Sequence, residues 1–501
     1  MSKGSFYKNS FILTSSNITT GILGFVFSIY LSKKLGSEGV GLYGLVMPIY
    51  NLFIGLMTAG IIAAVSKTSA YYHGKGDYQN LIRTINTLAF FNIVWAAAIG
   101  LLVFTFSPYI GTYIIHDERT IDAIKVTCPA MFFIALSNIL KGYFYGVSKV
   151  AVPSFIDILE KAMRIFILVA FIYLFKAGNL SSLVAATYLA LCTGELQSLV
   201  LLYIYYRITI REVTPSPSRK ENKAQLLFDI LFISVPLGIN GFFTSVFSTF
   251  STLIVPRRLM AAGFTYSAAL SLIGKFNGMA FIIVTFPLII ITSINSLLIP
   301  DLSQNMKNKD YFYAYKRIRQ VLTIAFLLGL CTLLICQTVP DSLGEMFFNR
   351  DDLGLFIRSA SICTPVLFPA ITMYGILNGL GKQGMILRNS LITEIIEISC
   401  LFLLTSIPQI NITGIAITYT ITSIVGFSLN LHEVNKKIPL NFSLINILIL
   451  LLFFFLGSMI ISIFLKYLPG EVIILKNTLA LVLCGFLFLL LLFTDKKLQD
   501  L

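Results

Sequence analysis

The sequence predicts an all-α polytopic membrane protein with fourteen transmembrane helices: two six-helix lobes in a parallel pseudo-twofold repeat, then two C-terminal helices. Three observations predict it. Apolar runs of roughly 20 residues, the length that spans a bilayer, recur about fourteen times. Of 501 residues, 56% are hydrophobic and only 12% charged, a membrane composition. Two distant stretches also agree at one offset of 233 residues: GYFYGVSKVAVPSFIDILEKAMRI from Gly142 and GILNGLGKQGMILRNSLITEIIEI from Gly375. Gly142 falls on Gly375, Gly146 on Gly379 and Lys149 on Lys382, and the same shift places Asp77-Tyr78 on Asp310-Tyr311 and Arg83 on Lys316. The runs are too long and too uniformly apolar for the alternating strands of a membrane barrel.

Taken in order, the chain opens with Met1-Ser2-Lys3 and an apolar run from Phe11 to Leu31. The run is longer than a signal-peptide core and has no small-residue cleavage site, so it reads as the first span. The fourteen spans are expected at 9–31, 42–65, 84–106, 123–145, 153–175, 180–206, 226–255, 270–299, 318–339, 357–378, 389–407, 412–431, 444–465 and 477–494. A linker at 207–225, with Pro215 and Pro217, separates an N-terminal lobe (1–206) from a C-terminal lobe (226–434); residues 435–501 supply the two extra helices. Spans four and five match spans ten and eleven. The displacement is six spans, an even number, so the halves share one orientation and the repeat axis lies along the membrane normal. Of the 37 Lys and Arg, 25 fall on the side bearing both termini and 12 on the other. The positive-inside rule then puts both termini in the cytoplasm.

The net charge of +14 therefore marks cytoplasmic loops, and the chain offers no exposed basic domain for nucleic acid. Seven Cys lie in or beside apolar runs without metal-ligand or CxxC spacing, and three His are scattered, so neither a metal site nor a cofactor is expected. No Walker motif and no paired-acid loop argues for an enzyme. What remains are ionisable groups that do not belong to loops, which are functional candidates by default. Lys33 and Lys34 end span one and Arg257 and Arg258 follow span seven, both against the charge trend and at equivalent places in the two halves. Snorkelling to the interface explains them as well as lining a cavity does. Lys275 sits some two turns into span eight and reads as cavity lining, with Asn51 and Asn277 as amides on a polar path. Most span amides, though, are interhelical glue. Glu195 lies about 12 residues, or ~18 Å along a helix, from Arg207. It reads as a buried protonated carboxyl or an ion-coupling site. Glu394 and Glu397 stand one turn apart in span eleven and are expected in structural ion pairs with Arg388 or Lys382.

Five segments, in order over the first twelve spans, resemble the stage V sporulation protein B branch of the polysaccharide-transporter group. They are LGSEGVGLYGLVMPIYNL (35–52), AAVSKTSAYYHGKGD (63–77), KGYFYGVSKVAVPSFIDILEKAMRI (141–165), LIVPRRLMAAGF (253–264) and NGLGKQGMILRNSL (378–391). The group sits in the multidrug/oligosaccharidyl-lipid/polysaccharide flippase superfamily. The resemblance implies two lobes around a central cavity and movement of lipid-linked oligosaccharide or peptidoglycan precursors by alternating access. The chain departs from that pattern where the group carries an Arg in span one, here Ser28, and where related members carry a carboxylate near Ser251; a second cation is retained as Lys33. The function expected is a flippase for a polyprenyl-pyrophosphate-linked glycan, the spore cortex being the destination the resemblance implies. The partners are membrane lipids, the lipid-linked oligosaccharide and a coupling ion, Na+ or H+; a monomer is expected. The alternatives are a cation-coupled multidrug exporter and a non-transporting scaffold for glycan enzymes. A positive cavity favours the flippase, a negative one the exporter, and a sealed apolar lobe interface the scaffold.

Overall fold

A computed structural model describes residues 3–58, 60–175, 179–211, 221–440, 444–466 and 473–500. Every regular element among them is helical. The chain packs as two compact units, one of residues 1–27 with 42–253, the other of 28–41 with 254–501. The centre of the expected linker, residues 212–220 with Pro215 and Pro217, lies outside the described residues.

Helix α1 (Lys3–Thr58) carries the first expected span and most of the second without an intervening loop. Its one non-helical residue is Gly36 (φ 67, ψ −178), a left-handed conformation open to glycine and costly for other residues. A second left-handed glycine, Gly60 (φ 72), precedes α2 (Ile61–Lys75). There follow α3 (Tyr78–Tyr109), α4 (Ile121–Gly146), α5 (Ala151–Phe175), α6 (Leu180–Arg211) and α7 (Lys223–Ala261). Expected span eight is broken into α8 (Tyr266–Lys275), a wide turn at Phe276–Ala280, α9 (Phe281–Thr285) and α10 (Leu288–Lys307). The rest comprises α11 (Tyr311–Thr338), α12 (Pro340–Phe348), α13 (Gly354–Ser361), α14 (Thr364–Gly379), α15 (Gln383–Leu404), α16 (Thr413–Asn435), α17 (Leu444–Lys466) and α18 (Ile473–Asp500). Span seven bends by 42° between Pro236 and Gly241, and span ten by 53° between α13 and α14.

Among the described residues eight helices are long and apolar enough to cross a membrane, or ten with the bent pairs included. The figure is below fourteen for physical reasons. Spans one and two merge into one 65-residue stretch, Phe11–Lys75. Helix α5 carries Asp157, Glu160, Lys161 and Arg164 within its length, and α15 carries Arg388, Glu394 and Glu397. The chain is a multi-pass, all-helical membrane protein.

The repeat is visible inside each unit. In unit 1, a Cβ on Gly142 would meet the Ile62 carbonyl oxygen at 3.0 Å, and one on Gly146 the Ser66 carbonyl oxygen at 2.5 Å and the Ser69 Cβ at 2.6 Å. In unit 2, a Cβ on Gly375 would meet the Asn295 side chain at 2.6 Å, and one on Gly379 the Leu302 Cβ at 2.9 Å and the Ile299 carbonyl oxygen at 3.1 Å. Each partner is displaced by the same 233 residues. The helix starts repeat too: Asp77 caps α3 by accepting from Asn80 N at 3.1 Å, and Asp310 caps α11 by accepting from Tyr313 N at 3.0 Å. Such caps satisfy amide donors that a helix start leaves open. The turn after α4, with Lys149 N donating to Phe144 O at 2.9 Å, has its twin after α14, where Lys382 N donates to Leu377 O at 2.9 Å. Both cores are apolar: Val65, Leu81, Ile139 and Phe144 in unit 1, and Leu302, Ile318, Met373 and Leu377 in unit 2.

Two segments depart from the expected lobe boundaries. Residues 226–253 pack within unit 1, because Leu226 and Ile230 enter its core and Thr249 donates to the Pro48 carbonyl at 3.2 Å. Residues 28–41 pack within unit 2 because small residues let backbones touch. A Cβ on Gly274 would lie 1.9 Å from the Ser37 carbonyl oxygen, one on Gly41 2.2 Å from the Leu270 carbonyl oxygen, and the Ser37 and Ser271 hydroxyls share a 2.7 Å hydrogen bond.

Candidate functional site

Unit 2 gathers most of the candidate cations. Lys33 and Lys34 are exposed at the kinked part of α1, with Lys34 Nζ 5.8 Å from the centre of the Tyr30 ring. Arg257, exposed, and Arg258 occupy the end of α7. Arg258 lies 3.9 Å over the Phe402 ring and its Nε donates to the Phe402 carbonyl at 2.9 Å, which ties α7 to the end of α15. Lys275 ends α8 and forms a 2.7 Å ion pair with Asp352. The same carboxylate accepts from Arg350 Nε at 2.8 Å and Nη2 at 2.7 Å. The Arg350 hydrogen bonds hold the Asp352 carboxyl well below the usual carboxylate range; partial burial opposes them and the Lys275 bond adds to them. One carboxylate thus serves two cations, and Lys275 is a neutralised charge rather than an open one. Asn277, on the wide turn that follows, has a buried Oδ1 without a hydrogen-bond partner among the described residues. Wide turns of this kind free backbone groups and recur at functional sites. Asn51 is exposed and belongs to unit 1, so it is not grouped with these cations.

Unit 1 holds the deeper charges. Glu195, 7% exposed, contacts Arg164 Nη2 at 3.3 Å. Arg164, 8% exposed, also donates to Glu160, one helical turn earlier on α5, and Lys161 lies 3.2 Å from the other Glu160 oxygen. The Glu160 carboxylate has room because Gly194 faces it; a Cβ there would come within 3.0 Å of Glu160 Oε1. Glu195 is therefore accompanied by a cation, not isolated.

The expected pairing of Arg388 takes a different form. Arg388 reaches Glu433 at 2.9 Å, at the end of α16, and Lys436 meets the same carboxylate at 2.9 Å. Lys382 Nζ donates to the Glu433 carbonyl. Lys382 and Arg388 both lie at the start of α15, beside the end of α16 that carries Glu433, whereas Glu394 and Glu397 lie further along α15 and are half-buried. Sequence reasoning missed Glu160, Arg164, Asp352 and Glu433. The first two had a legible signal, since an acid and a base at i and i+4 inside an apolar run share one helix face. Asp352 and Glu433 looked like loop charges.

An apolar cavity of about 340 Å³ opens in unit 1 beside the break at Gly60, lined by Gly55, Met57, Phe91, Trp95, Ile239 and Phe242 among others. The Trp95 indole donates to the Leu56 carbonyl at 3.5 Å there.

Comparison with known proteins places these features in context. The family described as polysaccharide biosynthesis protein matches residues 6–306. Stage V sporulation protein B of Bacillus subtilis (strain 168) is 25% identical over 447 residues, covering 88% of this chain and 86% of that protein. The lipid II flippase MurJ of the same organism is 21% identical over 444 residues, covering 84% of this chain and 81% of that protein. Among solved structures, a lipid II flippase MurJ in an inward closed conformation superposes with a TM-score of 0.69 at 10% identity, covering 95% of this chain and 98% of that one.

Proposed function

The chain belongs to the polysaccharide biosynthesis protein family, within the multidrug/oligosaccharidyl-lipid/polysaccharide flippase superfamily, and from that membership we propose that it flips a polyprenyl-pyrophosphate-linked glycan across the bacterial cytoplasmic membrane. The observation that carries the reading is the repeat itself. Each unit builds the same glycine-packed, Asp-capped helical core at the same offset, the duplicated construction on which alternating-access transporters rest. The namesake activity of the MurJ relative supplies the substrate class: a lipid carrying sugars on a pyrophosphate.

The physical task is to move a charged pyrophosphate and its sugars past hydrocarbon while the polyprenyl tail stays in lipid. Lys33, Arg257 and Arg258 supply positive charge from one unit, at helix ends that the positive-inside trend assigns to the outer face, and Lys275 adds its own once a substrate anion displaces Asp352. Charge-assisted hydrogen bonds from such groups to phosphate strengthen as water is excluded. Asn277, in the same unit, supplies an amide for a sugar hydroxyl. Both termini lie in the cytoplasm in this reading, and the chain acts as a carrier, not as an enzyme.

Reconstitution into vesicles with defined polyprenyl-pyrophosphate sugars, scored by accessibility of the sugar at each leaflet, tests it. Protein-dependent loss of leaflet asymmetry is expected. Asymmetry that persists for every such lipid, in protein that is folded, would refute the assignment.

A further inference from the structure

Three charged side chains touch inside unit 1, all more than nine-tenths buried: Glu160 at 4% exposure, Arg164 at 8% and Glu195 at 7%. Two more buried polar side chains, one on α1 and one on α6, have hydroxyls with no hydrogen-bond partner among the described residues. Tyr50, 4% exposed, lies within electrostatic range of all three charges, and Ser198, 1% exposed, stands three residues on from Glu195 and so on its side of α6. Arg164 Nε is buried and without a hydrogen-bond partner among the described residues as well. Buried polar atoms left over around a charge cluster ordinarily mean a ligand or water.

The charges balance only because of Arg164. Lys161 offsets Glu160 at 3.2 Å, whereas Glu195 has the guanidinium as its one close cation. Without it the cluster holds one uncompensated negative charge among carboxylate and hydroxyl oxygens, a hard set suited to a small hard cation. We propose that Arg164 is a tethered cation: its guanidinium fills, between Glu160 and Glu195, a site that would otherwise take one Na+ or one proton. Unit 1 carries its own counter-ion, and Glu195 is not the residue through which a coupling ion drives transport. The link to transport rests on the flippase reading; the site itself does not.

The groups facing Glu195 are Glu160, Lys161 and Arg164 on α5, Lys141 on α4, Tyr50 on α1 and Cys192 on its own helix; Tyr43 faces Arg164, and Lys141 is itself paired with Asp157 at 2.7 Å. The test follows thermal unfolding of the purified full-length protein in NaCl against choline chloride at constant ionic strength, and across about pH 5.5 to 8, where a freed buried carboxylate titrates. Wild type is expected to respond to Na+ and to acid no differently from Glu195→Gln. Arg164→Gln is expected to gain a response to one of them. If Na+ is the ligand, its folded-to-unfolded ratio rises about tenfold for each tenfold increase above the dissociation constant; if the proton is, acid alone stabilises it. Arg164→Lys is expected to behave as wild type. A folded Arg164→Gln protein that responds to neither ion overturns the proposal. So does a wild-type response that Glu195→Gln abolishes, and that comparison decides the matter if Arg164→Gln does not fold. Because the readout is ion binding, a failed flippase assay leaves the result standing, and the reverse.

Discussion

At Gly146 a β-carbon would lie 2.5 Å from the Ser66 carbonyl oxygen, and at Gly379 2.9 Å from the Leu302 Cβ. The first contact is the closer and falls on backbone, whereas the nearest backbone atom at Gly379, the Ile299 carbonyl oxygen, stands off at 3.1 Å. Overpacking a close-packed helix contact costs about 1–3 kcal/mol. Gly146→Ala is therefore expected to lower the unfolding temperature more than Gly379→Ala, as read by thermal denaturation in detergent. Asp352 gives a pH prediction. Its folded pKa is depressed by Arg350 and Lys275, so the stabilisation it supplies is present above the unfolded carboxyl value, about 4, and fades as pH falls through that value toward the lower folded one. The side chain is 38% exposed, so the pair is worth no more than about 1 kcal/mol. The difference in unfolding temperature between wild type and Asp352→Asn should be small and constant from neutral pH down to about 5 and shrink at lower pH. A difference that grows on acidification would show the ion pair does not set that carboxyl. Such partners were illegible in the sequence: Lys275 stood out as a charge in an apolar run, but Asp352, 77 residues on, looked like one more acid in a loop.

Helix breaks were less legible than helices. Apolar length set the spans, since burying backbone in lipid demands internal hydrogen bonds whatever the side chains. Prolines, however, mark only some of the breaks: Pro236, Pro287 and Pro365 stand at the bends of spans seven, eight and ten. Pro48, Pro108, Pro129 and Pro300 all sit inside continuous helices, while α1 kinks at Gly36 and the chain breaks again at Gly60, neither beside a proline. Membrane helices tolerate proline because neighbours take up the freed carbonyl; a left-handed residue ends the helical ladder outright. Gly36→Ala makes this testable. A Cβ meets no atom within 4 Å at Gly36, so the cost is purely conformational, about 1–3 kcal/mol for a non-glycine residue held at φ 67, ψ −178. The variant should be destabilised by that amount in thermal unfolding. A neutral result would mean that the kink relaxes.

At the scale of the whole chain, the 233-residue offset was legible because it rests on glycines, aspartates and their fixed geometric duties, which survive while surrounding apolar residues drift. Unit boundaries were not, because 28–41 joins unit 2 through backbone-to-backbone contacts at Gly41 and Gly274 that no hydropathy reveals. That placement sets Lys33 and Lys275 in one unit, and it allows the phosphate role to be tested with opposite signs. Asp352 already occupies the Lys275 ammonium at 2.7 Å, as a phosphate oxygen would. If Lys275 serves the pyrophosphate, the two anions compete for it. Lys275→Gln should weaken transport of the lipid-linked sugar by about tenfold, the worth of one charge-assisted hydrogen bond. Asp352→Asn should do the reverse and lower the substrate concentration needed for half-maximal transport, since the ammonium no longer has an internal partner. Both variants should unfold near the wild-type temperature because the pair is partly exposed, at 20% for Lys275 and 38% for Asp352. Loss of transport in both, with folding intact, would instead mean that the ion pair itself is required, and that Lys275 holds α8 in place and does not meet the substrate.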